Sequence, residues 1–90
     1  MKKIAILGST GSIGSSTLKV IEANPDVFSI TLLAAKSNIN SIFEQSKKFS
    51  PTYLYLDDDS SSGRLRSKID SINSNTTLVD EEDYLKILAS

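Results

Sequence analysis

Ninety residues, 39% of them hydrophobic, describe one small domain able to bury only roughly 60% of its unfolded surface, so its stability is expected to be marginal. The absence of cysteine and histidine excludes a disulfide framework, a thiolate metal site and all imidazole chemistry. Ten basic against eleven acidic residues (net charge −1) give no field to attract nucleic acid or an anionic membrane; with no apolar stretch near the roughly 20 residues of a span and a first strand expected from Lys3, too early for a leader, a cytoplasmic protein is expected.

Residues 4–7 form a short apolar run suited to a parallel strand covered on both faces. The run leads directly into Gly8, Gly11 and Gly14, glycines at every third position. A helix is predicted from Ser12, with Ile13, Thr17, Val20 and Ile21 at helical spacing and Asn24-Pro25 as its stop. Residues 28–35 (FSITLLAA) read as a second covered strand, with the polar Lys36, Ser37 and Asn38 at its carboxyl end. Asn38 is placed to cap a second helix whose inner face is Ile39, Ile42, Phe43 and Ser46, with Lys47 and Lys48 in the last turn.

Pro51 restarts the chain, and residues 53–56 (YLYL) give a third strand. Asp57, Asp58 and Asp59 with three serines read as a polar turn before a weaker helix marked by Leu65, Ile69 and Ile72, its helical tendency lowered by Gly63. Residues 77–79 suit a short edge strand. Asp80 with Asp83 resembles a helix start in which Val79 packs on Tyr84, and the final helix is expected to bury Tyr84, Leu85 and Leu88.

The alternation predicts an α/β fold: a Rossmann-type parallel sheet with flanking helices, incomplete at about three to four βα units, with strand 1 beside strand 2 and strand 3 beyond it. A complete doubly wound sheet places a further strand on the other side of strand 1. Residues 1–90 are therefore expected to be part of a larger protein, and the isolated chain to self-associate or to be partly unfolded.

In such a fold the strand, glycine loop and helix form a cradle for phosphate. Gly8 permits the tight turn, Gly11 lets backbone approach a pyrophosphate, and Gly14 lets the helix pack closely. The spacing is G-x-x-G-x-x-G, and Thr10 between the glycines carries a hydroxyl able to donate to a phosphate oxygen. The lysine and hydroxyl of a P-loop are missing. NAD sites place a carboxylate at the end of the second strand; Lys36, Ser37 and Asn38 instead offer a cation, a hydroxyl and an amide to a 2′-phosphate, which favours NADP(H). The plainer alternative is that Lys36 is solvated while Ser37 and Asn38 merely cap the helix. A metal site in Asp57–Asp59 is disfavoured, because consecutive side chains on a turn diverge. Glu81, Glu82 and Asp83 suit the positive end of a helix dipole.

Gly8 to Gly14 (GSTGSIG), with residues 16–18, Asn24-Pro25, Phe28, residues 34–38 and Phe49 to Pro51, closely resemble the amino-terminal portion of the 1-deoxy-D-xylulose 5-phosphate reductoisomerase family. The match is specific over residues 1–58 and looser to Ser90. The resemblance implies an NADPH- and divalent-metal-dependent (Mg or Mn) enzyme, homodimeric at full length, that converts 1-deoxy-D-xylulose 5-phosphate to 2-C-methyl-D-erythritol 4-phosphate for isoprenoid synthesis. Carried over by position, Thr10, Gly11, Ser12 and Ile13 match the family's dinucleotide-phosphate loop, and Lys36, Ser37 and Asn38 its adenosine-phosphate segment. Many relatives have a glycine and then a base before that asparagine; here Lys36 is followed by Ser37. Metal ligands, substrate ligands and the catalytic lid would lie in segments beyond Ser90, so the chain alone is expected to be inactive. The alternatives are another NADP-dependent reductase, such as an aspartate-semialdehyde dehydrogenase, and a non-catalytic nucleotide-binding module.

Overall fold

A computed structural model describes residues 1–72 and 74–90, and of Asp59 the backbone alone. The elements alternate without exception: β1 (Lys2–Leu7), α1 (Ser12–Ala23), β2 (Phe28–Ala35), α2 (Ile39–Phe49), β3 (Tyr53–Leu56), α3 (Asp59–Ser71), β4 (Thr77–Leu78) and α4 (Glu81–Ala89). The strands are all parallel, in the order β1-β2-β3-β4. This is the expected incomplete Rossmann-type sheet.

Because each crossover advances the sheet in the same direction with the same hand, α1, α2 and α3 share one face. They supply Leu18, Ile21, Ile42, Leu65 and Ile69 to a core built on Ile6, Ile30, Leu33, Leu54 and Leu56. The other face carries a smaller cluster of Leu32, Ala34, Tyr55 and Val79, covered by Tyr84 and Ile87 of α4. Pairing between β1 and β2 jumps from Ile4 opposite Ile30 to Ala5 opposite Leu32, leaving Thr31 as an extra residue. The bulge resets the alternation, so that Ile30 and Leu33 join the same core despite their odd spacing. Among the described residues no helix is long and apolar enough to cross a membrane.

Several expectations are corrected. β1 is covered on one face only: Ile6 is buried, but Ala5 and Leu7 are exposed, because the lone helix on that side packs over β2 and β3. In α1 the buried stripe is Gly14, Leu18 and Ile21, while Ile13 and Val20 face outward, since the side bearing Gly14 must lie against the loop. The serines after Asp58 form the first turn of α3 rather than a turn before it, with Asp58 as N-cap. Ile72 falls at the C-cap and is exposed. Leu85 and Leu88 are exposed too; α4 turns Tyr84 and Ile87, one turn apart, to the sheet. The Val79 to Tyr84 packing and the Asp80 cap, which accepts from the Asp83 amide at 2.9 Å, are as expected.

Candidate functional site

The glycine loop sits at the carboxyl end of β1. Gly8 has φ of +69°, a left-handed conformation that L side chains rarely adopt, and the Gly11 amide donates to its carbonyl at 3.0 Å to close the turn. The Ser9 amide donates to the Ala34 carbonyl at 2.9 Å, fastening the loop to β2. At Gly14 an added Cβ would collide with the Gly8 carbonyl oxygen and come within 2.8 Å of the Ser9 Cα, so α1 meets the loop backbone to backbone. At Gly11 a Cβ would meet only the Gly8 oxygen, at 3.4 Å, which is ordinary contact.

Gly11 is the N-cap of α1 and brings no side-chain acceptor, and the first turn contains no acid. The opening amides of α1 thus carry the positive end of the dipole with no side-chain cap and no first-turn acid to neutralise it. Thr10 is half-buried; Gly11, Ser12 and Ile13 are exposed. Gly11, Ser12 and Ile13 line a depression of about 600 Å³ along the free edge of β1. Across the loop, Lys36 lines a second cavity of about 380 Å³ with Gly8, Ala34, Ala35, Tyr55, Asp57 and Tyr84. Gly8 is common to both. Thr10, Ser37 and Asn38 line neither cavity. The Asn38 side-chain oxygen accepts from the Ser41 amide at 3.1 Å, capping α2, and its amide group remains able to donate outward.

Four residues of this region were not picked out by their sequence pattern. Gln45 on α2 reaches the loop, its Nε2 donating to the Ser9 carbonyl at 2.8 Å. The signal was there to find: Gln45 lies one turn after Ile42 and beside Ser46, a long polar side chain on the inner edge of an amphipathic helix. Tyr55, Asp57 and Tyr84 share the Lys36 cavity, with the two tyrosine rings stacked at 4.0 Å and the Tyr55 hydroxyl donating to Asp57 Oδ1 at 3.0 Å. The end of β2 is free of acid, as read, but the parallel neighbour β3 brings Asp57 alongside. Asp58 has a different task. Its carboxylate accepts from the Ser60 hydroxyl at 2.7 Å, the Ser61 hydroxyl at 2.9 Å and the Ser60 amide at 3.1 Å. Led by the Ser60 hydroxyl, these bonds hold its carboxyl below the usual range. Of Asp59 the side chain lies outside the described residues.

The 1-deoxy-D-xylulose 5-phosphate reductoisomerase family model matches residues 4–90. The reductoisomerase of Psychromonas ingrahamii is 42% identical over 91 residues, and that of Saccharophagus degradans 43% over 90; each alignment covers 100% of this chain and 23% of the relative. The chain thus spans about a quarter of the length of the relatives it matches. Among solved structures, a DOX-P reductoisomerase in complex with NADPH, fosmidomycin and magnesium superposes with a TM-score of 0.86 at 27% identity, over 92% of this chain and 20% of that one. The Zymomonas mobilis reductoisomerase in complex with NADPH gives 0.80 at 28% identity, over 86% and 20%. With the family model matched over residues 4–90, the strand, glycine loop and helix described above included, the chain belongs to the 1-deoxy-D-xylulose 5-phosphate reductoisomerase family.

Proposed function

We propose that residues 1–90 are a partial NADP-binding Rossmann domain, the NADPH-binding portion of a 1-deoxy-D-xylulose 5-phosphate reductoisomerase. The protein as a whole would act in the cytoplasm as a homodimer and convert 1-deoxy-D-xylulose 5-phosphate to 2-C-methyl-D-erythritol 4-phosphate. The observation that carries the reading is the uncapped, acid-free start of α1 beside a loop that no Cβ could enter at Gly14. That geometry fits a dinucleotide. Thr10, Gly11, Ser12 and Ile13 would hold the pyrophosphate through backbone amides and hydroxyls, and Lys36, Ser37 and Asn38 would hold the 2′-phosphate. When bound, NADPH supplies the hydride that reduces an aldehyde to an alcohol.

The chain's own part is binding and orientation. Lys36 is exposed and forms no ion pair among the described residues, so its charge is available to a phosphate. Asp57 in the same cavity is turned to the Tyr55 hydroxyl. The divalent cation is a different matter: among the described residues no three acidic side chains gather, and the Asp58 carboxylate is occupied as a cap, so these residues do not fit a metal. Calorimetric titration of NADPH and NADH into the chain tests the reading. NADPH is expected to bind about tenfold more tightly, the worth of one charge-assisted contact, with the difference lost in Lys36→Ala. Equal affinities, or tighter NADH, would reject it.

A further inference from the structure

Ser9 is wholly buried beneath the glycine loop and is held at both of its backbone groups: the amide by Ala34 of β2, the carbonyl by the Gln45 side chain of α2. The second bond joins residues 36 apart and comes from the helix whose first turn follows Lys36, Ser37 and Asn38. Each of the two residues also carries a further buried polar atom. Ser9 Oγ and Gln45 Oε1 are buried with no hydrogen-bond partner among the described residues, one able to donate and the other only to accept.

The consequence follows from peptide planarity. No peptide bond in the described chain is cis, and in a trans peptide the carbonyl and the next N–H point in opposite directions. A Ser9 carbonyl drawn inward to Gln45 therefore turns the Thr10 N–H outward, and no acceptor among the described residues takes it. The opposite flip would aim a carbonyl oxygen out of the loop, where it would repel an anion. We infer that Gln45 is a positioning residue that fixes the Ser9–Thr10 peptide so that the Thr10 amide is presented to a phosphate of the dinucleotide. The inference rests on the NADPH reading of the same site.

The test combines exchange and affinity. In the unsubstituted chain the Gln45 carboxamide protons are expected to exchange at least about tenfold more slowly than those of the exposed Asn40, as hydrogen-bonded groups do. Exchange at the Asn40 rate overturns the grip, whether or not any variant folds. In Gln45→Leu and Gln45→Glu the NADPH dissociation constant is expected to rise about tenfold, the worth of one amide-to-phosphate bond, while the ratio of NADPH to NADH affinity stays unchanged. A general loosening of α2 would disturb Lys36 and move that ratio as well. If the unsubstituted chain binds NADPH and both variants bind it equally well, the inference fails alone. If the unsubstituted chain binds no NADPH, the functional reading fails, and the carboxamide exchange still judges the grip.

Discussion

Gly11 and Gly14 stand three residues apart and ask for glycine for different reasons. At Gly14 the obstacle is the chain's own backbone, the Gly8 carbonyl and the Ser9 Cα, neither of which can swing aside as a side chain does. Gly14→Ala is expected to destabilise the fold by about 1–3 kcal/mol, the usual cost of overpacking, read by urea denaturation. At Gly11 the protein leaves room, so Gly11→Ala is expected to keep its unfolding free energy within about 0.5 kcal/mol of the original and to weaken NADPH binding instead. A Gly11→Ala chain as unstable as Gly14→Ala would contradict this division. Asp58 allows a prediction with a sign. Its carboxyl is more acidic folded than unfolded, so its contribution is fully present above the unfolded value of about 3.9 and is lost as pH falls through the lower folded value. Asp58→Asn, which keeps an acceptor but no charge, is therefore expected to flatten the stability profile below about pH 4 and leave it unaltered in shape near neutrality.

Elements were legible wherever hydrophobic spacing and stop signals agreed. FSITLLAA forms β2 to the residue, and Asn38 caps α2 with its own side chain, because those signals are local. Facing was harder. Which stripe of α1 lies inward was decided by Gly14 against the loop, and the phase of β2 by the extra Thr31, neither of which a count of apolar residues contains. The same limit applies to the site: the glycine loop was readable because strand, turn and helix are contiguous, whereas Gln45, Asp57 and Tyr84 reach it only through the packing of α2, β3 and α4. Asn38 separates the two proposed tasks of the α2 start. Asn38→Ala is expected to cost about 1 kcal/mol of stability as a lost cap, whereas Asn38→Asp retains an equally good cap and should be nearly neutral. Against NADPH the order differs. Asn38→Asp would set a carboxylate towards the 2′-phosphate and bind about tenfold more weakly, with NADH hardly affected. Unchanged NADPH affinity in the Asp variant would leave Asn38 as a cap and nothing more.

For the whole molecule the governing feature is its lopsided sheet. Three helices cover one face and α4 part of the other, leaving β1 at an edge with Ala5 and Leu7 exposed beside Ile13. Unpaired backbone next to apolar surface favours pairing with another chain. Sedimentation of the 90-residue chain is expected to show concentration-dependent association, diminished by Leu7→Lys, since an edge lysine opposes strand addition. A single monomer mass across the concentration series, with strongly protected amides at residues 4–7, would speak against it. The stacked pair of Tyr55 and Tyr84 has its own use. The chain contains no tryptophan, and its three tyrosines all belong to the smaller cluster between α4 and the sheet, two of them parallel to within 3°. The tyrosine bands of the near-ultraviolet circular dichroism will therefore report one event, the seating of α4 on the sheet, whereas Phe28, Phe43 and Phe49 pack on the opposite face with the three helices that dominate the far-ultraviolet band. If the tyrosine signal is lost on heating before the far-ultraviolet one, the chain comes apart from its α4 side first.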